Sequence, residues 1–431
     1  MRPGHELKWL FLDLNSYFAS VEQQENPSLR GRPVAVVPMK TDSTCAIAAS
    51  YEAKAYGIKT GTKIYHAKKL CPQLQCVPAR HDKYVDYHHR ILDEVIKHIP
   101  INKVWSVDEL SSCLPKRLRC KESLKEAVMN LKEGIRQNVG IAINCSIGIA
   151  PNSFLAKVAS DMEKPDGLVF LEPDKLPGRL FDLKLTDLPG INVRMEDRLR
   201  RAGITTIEQF WNISPKHARK VWGGVVGERF WYNLHGYEVP SLDTKTSVIG
   251  HSRILEPTLR HPEKSRLVAR RLTIKAASRL RRKNLFATNF SMSVHIIEPS
   301  ASFHQKQMTR RWASETKLSP AQDNFTFLKT LENMWQSLIW DSKPFKIKKV
   351  SVTISGLCNR EEITPDLFDL QSKAHQSLQN KNQKLSETID TLNQKYGSET
   401  IQLGPSPKTK TGYVGTKIAF SRIPDKEEFL E

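Results

Sequence analysis

Two adjacent carboxylates, Asp108 and Glu109, interrupt the run Val104-Trp105-Ser106-Val107-Asp108-Glu109-Leu110, which otherwise reads as a β-strand. Side chains alternate faces along a strand, so the pair should diverge unless something such as a metal ion draws both inward. A second apolar run, Leu7 to Asn15, carries Asp13 near its end, and a helix follows with Asn15 or Ser16 as N-cap. Asp13 is therefore expected at a strand-to-helix corner. Such acids are either solvated ends or one cluster, and the rest of the chain has to decide which.

At 431 residues the chain is too long for one ordinary domain. A prior of roughly 100 to 200 residues per domain gives two to four. Lys and Arg outnumber Asp and Glu by 66 to 46, a net charge of +20, which favours a polyanionic partner. No apolar run approaches the roughly 18 residues of a membrane span, so nucleic acid is the expected partner rather than a membrane. The seven cysteines are scattered without zinc-site spacing. They are expected as reduced thiols of a cytoplasmic, nucleoid-associated protein.

Pro33 to Val37 reads as a buried strand, and a choppier, lysine-rich stretch runs from Met39 to about Pro78. Within it Ala48 to Gly57 is expected to begin as a helix and stop at the glycine. Tyr51 and Lys54 then share a face, fit for solvent or for a triphosphate. Helices are predicted over Tyr84–Ile99, Glu122–Asn138 and Phe154–Met162, and a strand over Gly140–Ala150. The turn Glu163 to Gly167 exposes Lys164 at its tip. This alternation makes a sheet covered by helices.

From about Leu176 the pattern is all-helical. Leu188-Pro189-Gly190-Ile191, the arginine-rich stretch with Arg198, and Ala202-Gly203-Ile204 read as a helix-hairpin-helix. Its Gly190 turn and Arg198 are expected to meet a DNA phosphate. After a polar linker at 241–252, Pro262 to Leu285 is a basic amphipathic helix carrying Arg270, Arg271 and Arg279, one face for a sheet and one for solvent or phosphate. Strands over Phe290–Ile297 and Lys346–Ser355 and a helix over Phe325–Ile339 complete a small sheet backed by two helices. Beyond Leu357 the chain is polar, with one helix expected at Glu387–Tyr396 and no clear core pattern over Ile401–Arg422.

Asp13, Asp108 and Glu109 at neighbouring strand ends are the ligand set of a two-metal site, with the Leu14 carbonyl as a natural extra donor. Lys54 and Lys164, with Tyr51, would neutralise a triphosphate.

Four blocks carry a resemblance: Phe11 to Glu22, Ser50 to Ile58, Ser106 to Glu109, and Gly148 to Lys157 running into Ser160 to Gly167. Their order and spacing resemble the signature of Y-family DNA polymerases, the translesion enzymes of the DinB/UmuC type. The resemblance implies an α+β right-hand architecture. Its parts are a palm (1–38 and 80–172), fingers (39–79), a helix-hairpin-helix thumb (173–240) and, after the linker, a little finger (253–357) with a polar tail (358–431). It implies template-directed addition of deoxynucleoside triphosphates to a primer end on primer-template DNA, with two Mg²⁺ ions or Mn²⁺ in their place. Asp13, Asp108 and Glu109 fall on the metal-binding acids, Phe18 on the steric gate with Tyr17 beside it, and Tyr51, Lys54 and Lys164 on the triphosphate contacts.

Three departures stand out. Lys54 replaces the usual Arg, Asn15 an acid common two residues after the first aspartate, and Cys113 an aspartate four residues after the acid pair. They suggest a UmuC-like or ImuB-like branch, with a DNA-bound accessory subunit of weak or no catalysis as the alternative function. Leu367 and Phe368 resemble the end of a sliding-clamp peptide, which adds the clamp and other damage-response proteins as expected partners.

Overall fold

The computed structural model describes residues 4, 6–240, 247–298, 308–340, 345–363, 373–397 and 400–404. The chain divides into two compact units whose boundary in sequence falls near residue 241.

In the first unit, β1 (Trp9–Leu14) enters α1 (Tyr17–Glu25), then β2 (Val34–Val37), β3 (Ala48–Ala49), α2 (Tyr51–Lys54), α3 (Ile64–Leu70) and β4 (Gln75–Pro78). There follow α4 (His81–His98), β5 (Lys103–Val104), β6 (Glu109–Cys113), α5 (Lys121–Asn138), β7 (Cys145–Ala150), α6 (Ser153–Met162) and β8 (Leu168–Phe170). Four helices end the unit: α7 (Val193–Arg201), α8 (Ile207–Trp211), α9 (Pro215–Trp222) and α10 (Val225–Leu234).

The main sheet has the order β5-β6-β1-β7-β8, with β1 antiparallel to both neighbours. β1 is almost wholly buried, as its apolar run from Trp9 to Leu12 requires of a central strand. Leu10, Leu12 and Leu14 enter one core with α1, α4 and α5, while Phe11 enters another with α6 and the four C-terminal helices. That alternation sends Asp13 to the α6 face.

β2 is buried, as its apolar run predicts, but it does not join the main sheet. It is the middle strand of a separate sheet, β3-β2-β4. Ala35 and Val37 fill the small core beneath that sheet, and Val36 points back to the palm core. The expected helix from Ala48 is a two-residue strand first, and α2 starts only after Ser50, whose hydroxyl accepts the Ala53 N–H. The strand expected from Gly140 starts at Cys145.

In the second unit β9 (Val248–Ile254), α11 (Pro262–Arg282), β10 (Leu285–Ile297), β11 (Thr309–Ala321), α12 (Asn324–Trp340), β12 (Lys346–Asn359) and α13 (Lys373–Tyr396) follow in order. The sheet order is β11-β10-β12-β9. Phe290, Met292 and Val294 of β10 and Val350, Val352 and Ile354 of β12 face α11 and α12. β9 begins at Val248, inside the stretch expected to be linker, and pairs with β12 through seven registered positions.

The strand β11 was not legible in the sequence. It is an edge strand with one neighbour, rich in charge and holding Pro320, as edges tend to be. The tail also departs from expectation. α13 is 24 residues long and packs on α12 and α11, with Ile389 and Ser386 buried. Asp390 accepts two bonds from the guanidinium of Arg281, at 2.7 and 2.9 Å, and Ser386 Oγ accepts the Asn324 N–H. No helix among the described residues is long and apolar enough to cross a membrane.

Candidate active site

Asp13 and Glu109 are register partners on β1 and β6. From α6, Lys157 Nζ reaches Asp13 Oδ2 at 2.5 Å and Glu109 Oε1 at 2.8 Å. Lys164, in the turn after α6, reaches Asp13 Oδ1 at 2.7 Å. Asp161, one turn after Lys157, binds both lysines, at 3.2 and 2.7 Å. Gly148 of β7 lets α6 come this close, since a Cβ there would lie 2.1 Å from the Ala156 carbonyl oxygen.

Asp108 occupies a bend before β6 rather than the strand predicted through it. Its carboxylate accepts the Ser106 hydroxyl at 2.5 Å, and its carbonyl accepts the Leu14 N–H at 2.9 Å. Lying outside the pleat, it escapes the alternation that would have opposed it to Glu109. Leu14 itself buries its side chain in the palm core.

The charges are strongly interdependent. Burial opposes the charge on Asp13, but Lys157 and Lys164 outweigh it and hold that carboxyl below the usual range. Burial pushes Asp108 up, against the Ser106 hydrogen bond and with help from the Asp13 charge. Burial also raises Glu109, with Lys157 opposing and Asp13 and Asp108 adding. Lys157 and Lys164 are raised because Asp13 and Asp161 overcome their burial. The acids are split between groups that keep their charge and groups that lose it more readily.

Among the described residues no three His, Cys, Asp or Glu side chains converge closely enough to cage an ion as they stand. The donor chemistry nevertheless fits a hard divalent cation: the donors are oxygens, and both Asp13 oxygens already hold positive charges.

On α2 the Lys54 ammonium lies 4.2 Å from the Tyr51 ring centroid, so the two share a face as predicted. Burial, then the nearby Lys164, lowers Lys54, and burial raises Tyr51. Tyr51, Lys54 and Lys164 thus gather beside Asp13. Phe18 is buried against Tyr84. Tyr17 departs from its expected role, because its hydroxyl donates to the Tyr84 carbonyl at 2.6 Å inside the palm core.

The impB/mucB/samB family matches residues 12–161, and its C-terminal domain matches 247–367. A relative named DNA polymerase IV from Moorella thermoacetica is 32% identical over 408 residues, covering 91% of this chain and 94% of its own. The chain belongs to the DinB-type Y-family DNA polymerases. DNA polymerase IV 1 of Bacillus subtilis is 28% identical, with 94% of each chain covered. The fold of a Y-family polymerase chimera, Dbh-Dpo4(243-245)-Dbh, superposes with a TM-score of 0.67 at 22% identity, covering 82% of this chain and 99% of that one. This Y-family chain is a translesion DNA-directed DNA polymerase that requires divalent metal.

The name these relatives carry corrects the expected UmuC-like or ImuB-like branch. Two of the departures behind that expectation have structural explanations. Asn15 is buried: its amide donates to Ser146 Oγ at 3.1 Å, and its Oδ1 accepts the Asp166 N–H at 2.7 Å, so it fastens the turn bearing Lys164. Cys113 pairs with Trp9 at the far end of β6 and leaves the acids untouched.

The expected DNA contacts fare unevenly. Gly190 holds φ at +98° before α7, and Arg198 is exposed but donates to the Trp222 carbonyl at 3.0 Å. Arg270, Arg271 and Arg279 do not stand on an open face. The sheet packs on one side of α11 while α12 and α13 pack on another, leaving all three half-buried, and Arg270 donates to the Leu403 carbonyl. Leu367 and Phe368 lie outside the described residues. Sequence reasoning missed Lys157 as a site residue. The signal was its i, i+4 spacing from Asp161 in a motif already singled out.

Proposed function

We propose that Asp13, Asp108, Glu109 and the Leu14 carbonyl hold two Mg²⁺ ions, which Mn²⁺ can replace, at the point of nucleotidyl transfer. The observation that carries this reading is the registered Asp13–Glu109 pair, with Asp108 at its edge and two ammonium groups on Asp13. Bound metal supplies charge stabilisation for the attacking and leaving oxygens. Tyr51, Lys54 and Lys164 bind the triphosphate and spread its charge, Lys54 as a point charge where an Arg would grip with two prongs. Phe18, packed on Tyr84, limits the room at the sugar.

DNA is held by phosphate contacts at the thumb and by the half-exposed face of the second unit's sheet. There Arg311, His295 and Lys349 stand in one cross-strand row, and Ser293, Ser351 and Ser252 in the next. Two basic side chains flanking an imidazole, beside a row of hydroxyls, suit a phosphate backbone. Leu367 and Phe368 are proposed as the clamp contact, and work at damaged DNA with other damage-response proteins, at the nucleoid, belongs to the same reading.

The test is primer extension by purified wild type and by Asp13→Ala and Asp108→Ala, with Mg²⁺ and with Mn²⁺. Extension at the wild-type rate by either variant would sink the site assignment. Loss of clamp binding by a Leu367→Ala, Phe368→Ala double variant tests the tail contact.

A further inference from the structure

Asp13 and Glu109 are like charges on adjacent strands, in a site where burial already disfavours ionisation. What stands between them is one flexible cation. Lys157 touches both, is only 18% exposed, and runs its chain past the Phe11 ring, whose centroid lies 5.2 Å from its ammonium.

We propose that Lys157 is an internal counter-ion that holds Asp13 and Glu109 together until a divalent cation takes its place. The proposal rests on the reading of these acids as the metal site. A divalent ion bound to Asp13 must take at least one carboxylate oxygen from a lysine, because Lys157 and Lys164 occupy both. Asp161 gives the displaced ammonium somewhere to go. It lies on the same face of α6 and already touches Lys157, so the charge moves along one helix turn without being stranded. Lysine suits this exchange better than arginine, being a compact charge on a mobile stem rather than a two-pronged fork. Lys157 therefore competes with metal and acts as a positioning residue for the acids.

The experiment measures Mn²⁺ binding to the full-length protein without DNA or nucleotide, by the spin-resonance signal of free Mn²⁺. Thermal unfolding in a chelator and in excess Mn²⁺ accompanies it. Lys157→Met should bind Mn²⁺ about five- to tenfold more tightly, because the competitor is gone. It should also melt lower than wild type in chelator and gain more from Mn²⁺ than wild type does. Lys54→Met removes a positive charge nearby without touching the acids' bridge, and should tighten binding by no more than about twofold.

Equal tightening by both variants would reduce the effect to general charge and overturn the proposal. So would unchanged Mn²⁺ affinity in Lys157→Met, or the same melting deficit with and without Mn²⁺. Lys157→Gln carries the same expectations if the methionine variant does not fold. Asp13→Asn tests the underlying reading: it should lose Mn²⁺ binding, and if it does not, the metal assignment fails whatever Lys157→Met shows.

Discussion

The Phe18 ring lies flat on the Tyr84 ring, with centroids 4.3 Å apart and planes 12° from parallel. Tyr84 is itself held: its hydroxyl donates to Glu22 at 2.7 Å, and Glu22, almost fully buried, receives Arg80 at 2.6 Å. A ring fixed by a second ring, and that one by a buried carboxylate that Arg80 holds in place, cannot swing aside for a ribose. Phe18→Ala should raise ribonucleotide incorporation, and Tyr84→Leu should raise it less, by loosening the backing. The ratio of kcat/KM for ribo- and deoxynucleotides reads both. An unchanged ratio in Phe18→Ala means the ring does not face the sugar.

Asp108→Ala should abolish extension while leaving the fold as stable as wild type. Burial pushes this carboxyl up from its ordinary range, so the native fold opposes its charge and gains nothing from it. Thermal unfolding beside primer extension separates the two. A variant that is both inactive and several degrees less stable would assign Asp108 a structural role.

His88 predicts a pH dependence of stability. It is buried, Nδ1–H donates to the Val107 carbonyl at 2.8 Å, and burial, opposed by that bond and reinforced by His89, lowers its pKa to about 4. The unfolded chain binds this proton near pH 6.5 and the folded chain does not, so stability falls as pH drops from about 6.5 toward 4. Between pH 7 and 5 the loss should be about 2 kcal/mol. Denaturant unfolding of wild type and His88→Gln should show that part of the slope disappear from the variant. Identical slopes would count against it.

Lys349→Ala and Arg311→Ala should each weaken DNA binding without regard to sequence. Each should reduce the slope of log K against log salt by about one, if each neutralises one phosphate. A change in affinity at constant slope would place the contact elsewhere than on the backbone.

Much of this arrangement could be read from the chain because its signals were local. The acid at the end of an apolar strand, the α2 pair at three-residue spacing, and the turn that carries Lys164 all lie within short blocks. What could not be read depends on partners distant in sequence. Lys157 faces Asp13 across 144 positions, which no period reveals. Asp108 looked like part of a strand because its bend has no glycine or proline to announce it. The α13 face that packs, Ser386, Ile389, Asp390 and Asn393, has helical spacing but is mostly polar, so a search for apolar stripes passes over it.

Asp390→Ala should lower the stability of the second unit by about 3 kcal/mol, because it leaves the guanidinium of Arg281, 5% exposed, with too few acceptors. Unfolding followed through Trp335, buried in that unit's core, would detect it. An effect below half of that would mean that the Gln322 carbonyl and Asn324 suffice.

The Arg281–Asp390 pair also separates two boundaries that are easily equated. The family match ends at residue 367, whereas the carboxylate that neutralises Arg281 arrives only with α13. The segment that matches the family model therefore lacks a carboxylate that its own Arg281 uses in the folded body. A chimera joined at the edge of the match would carry a charge whose counterpart stayed with the other parent.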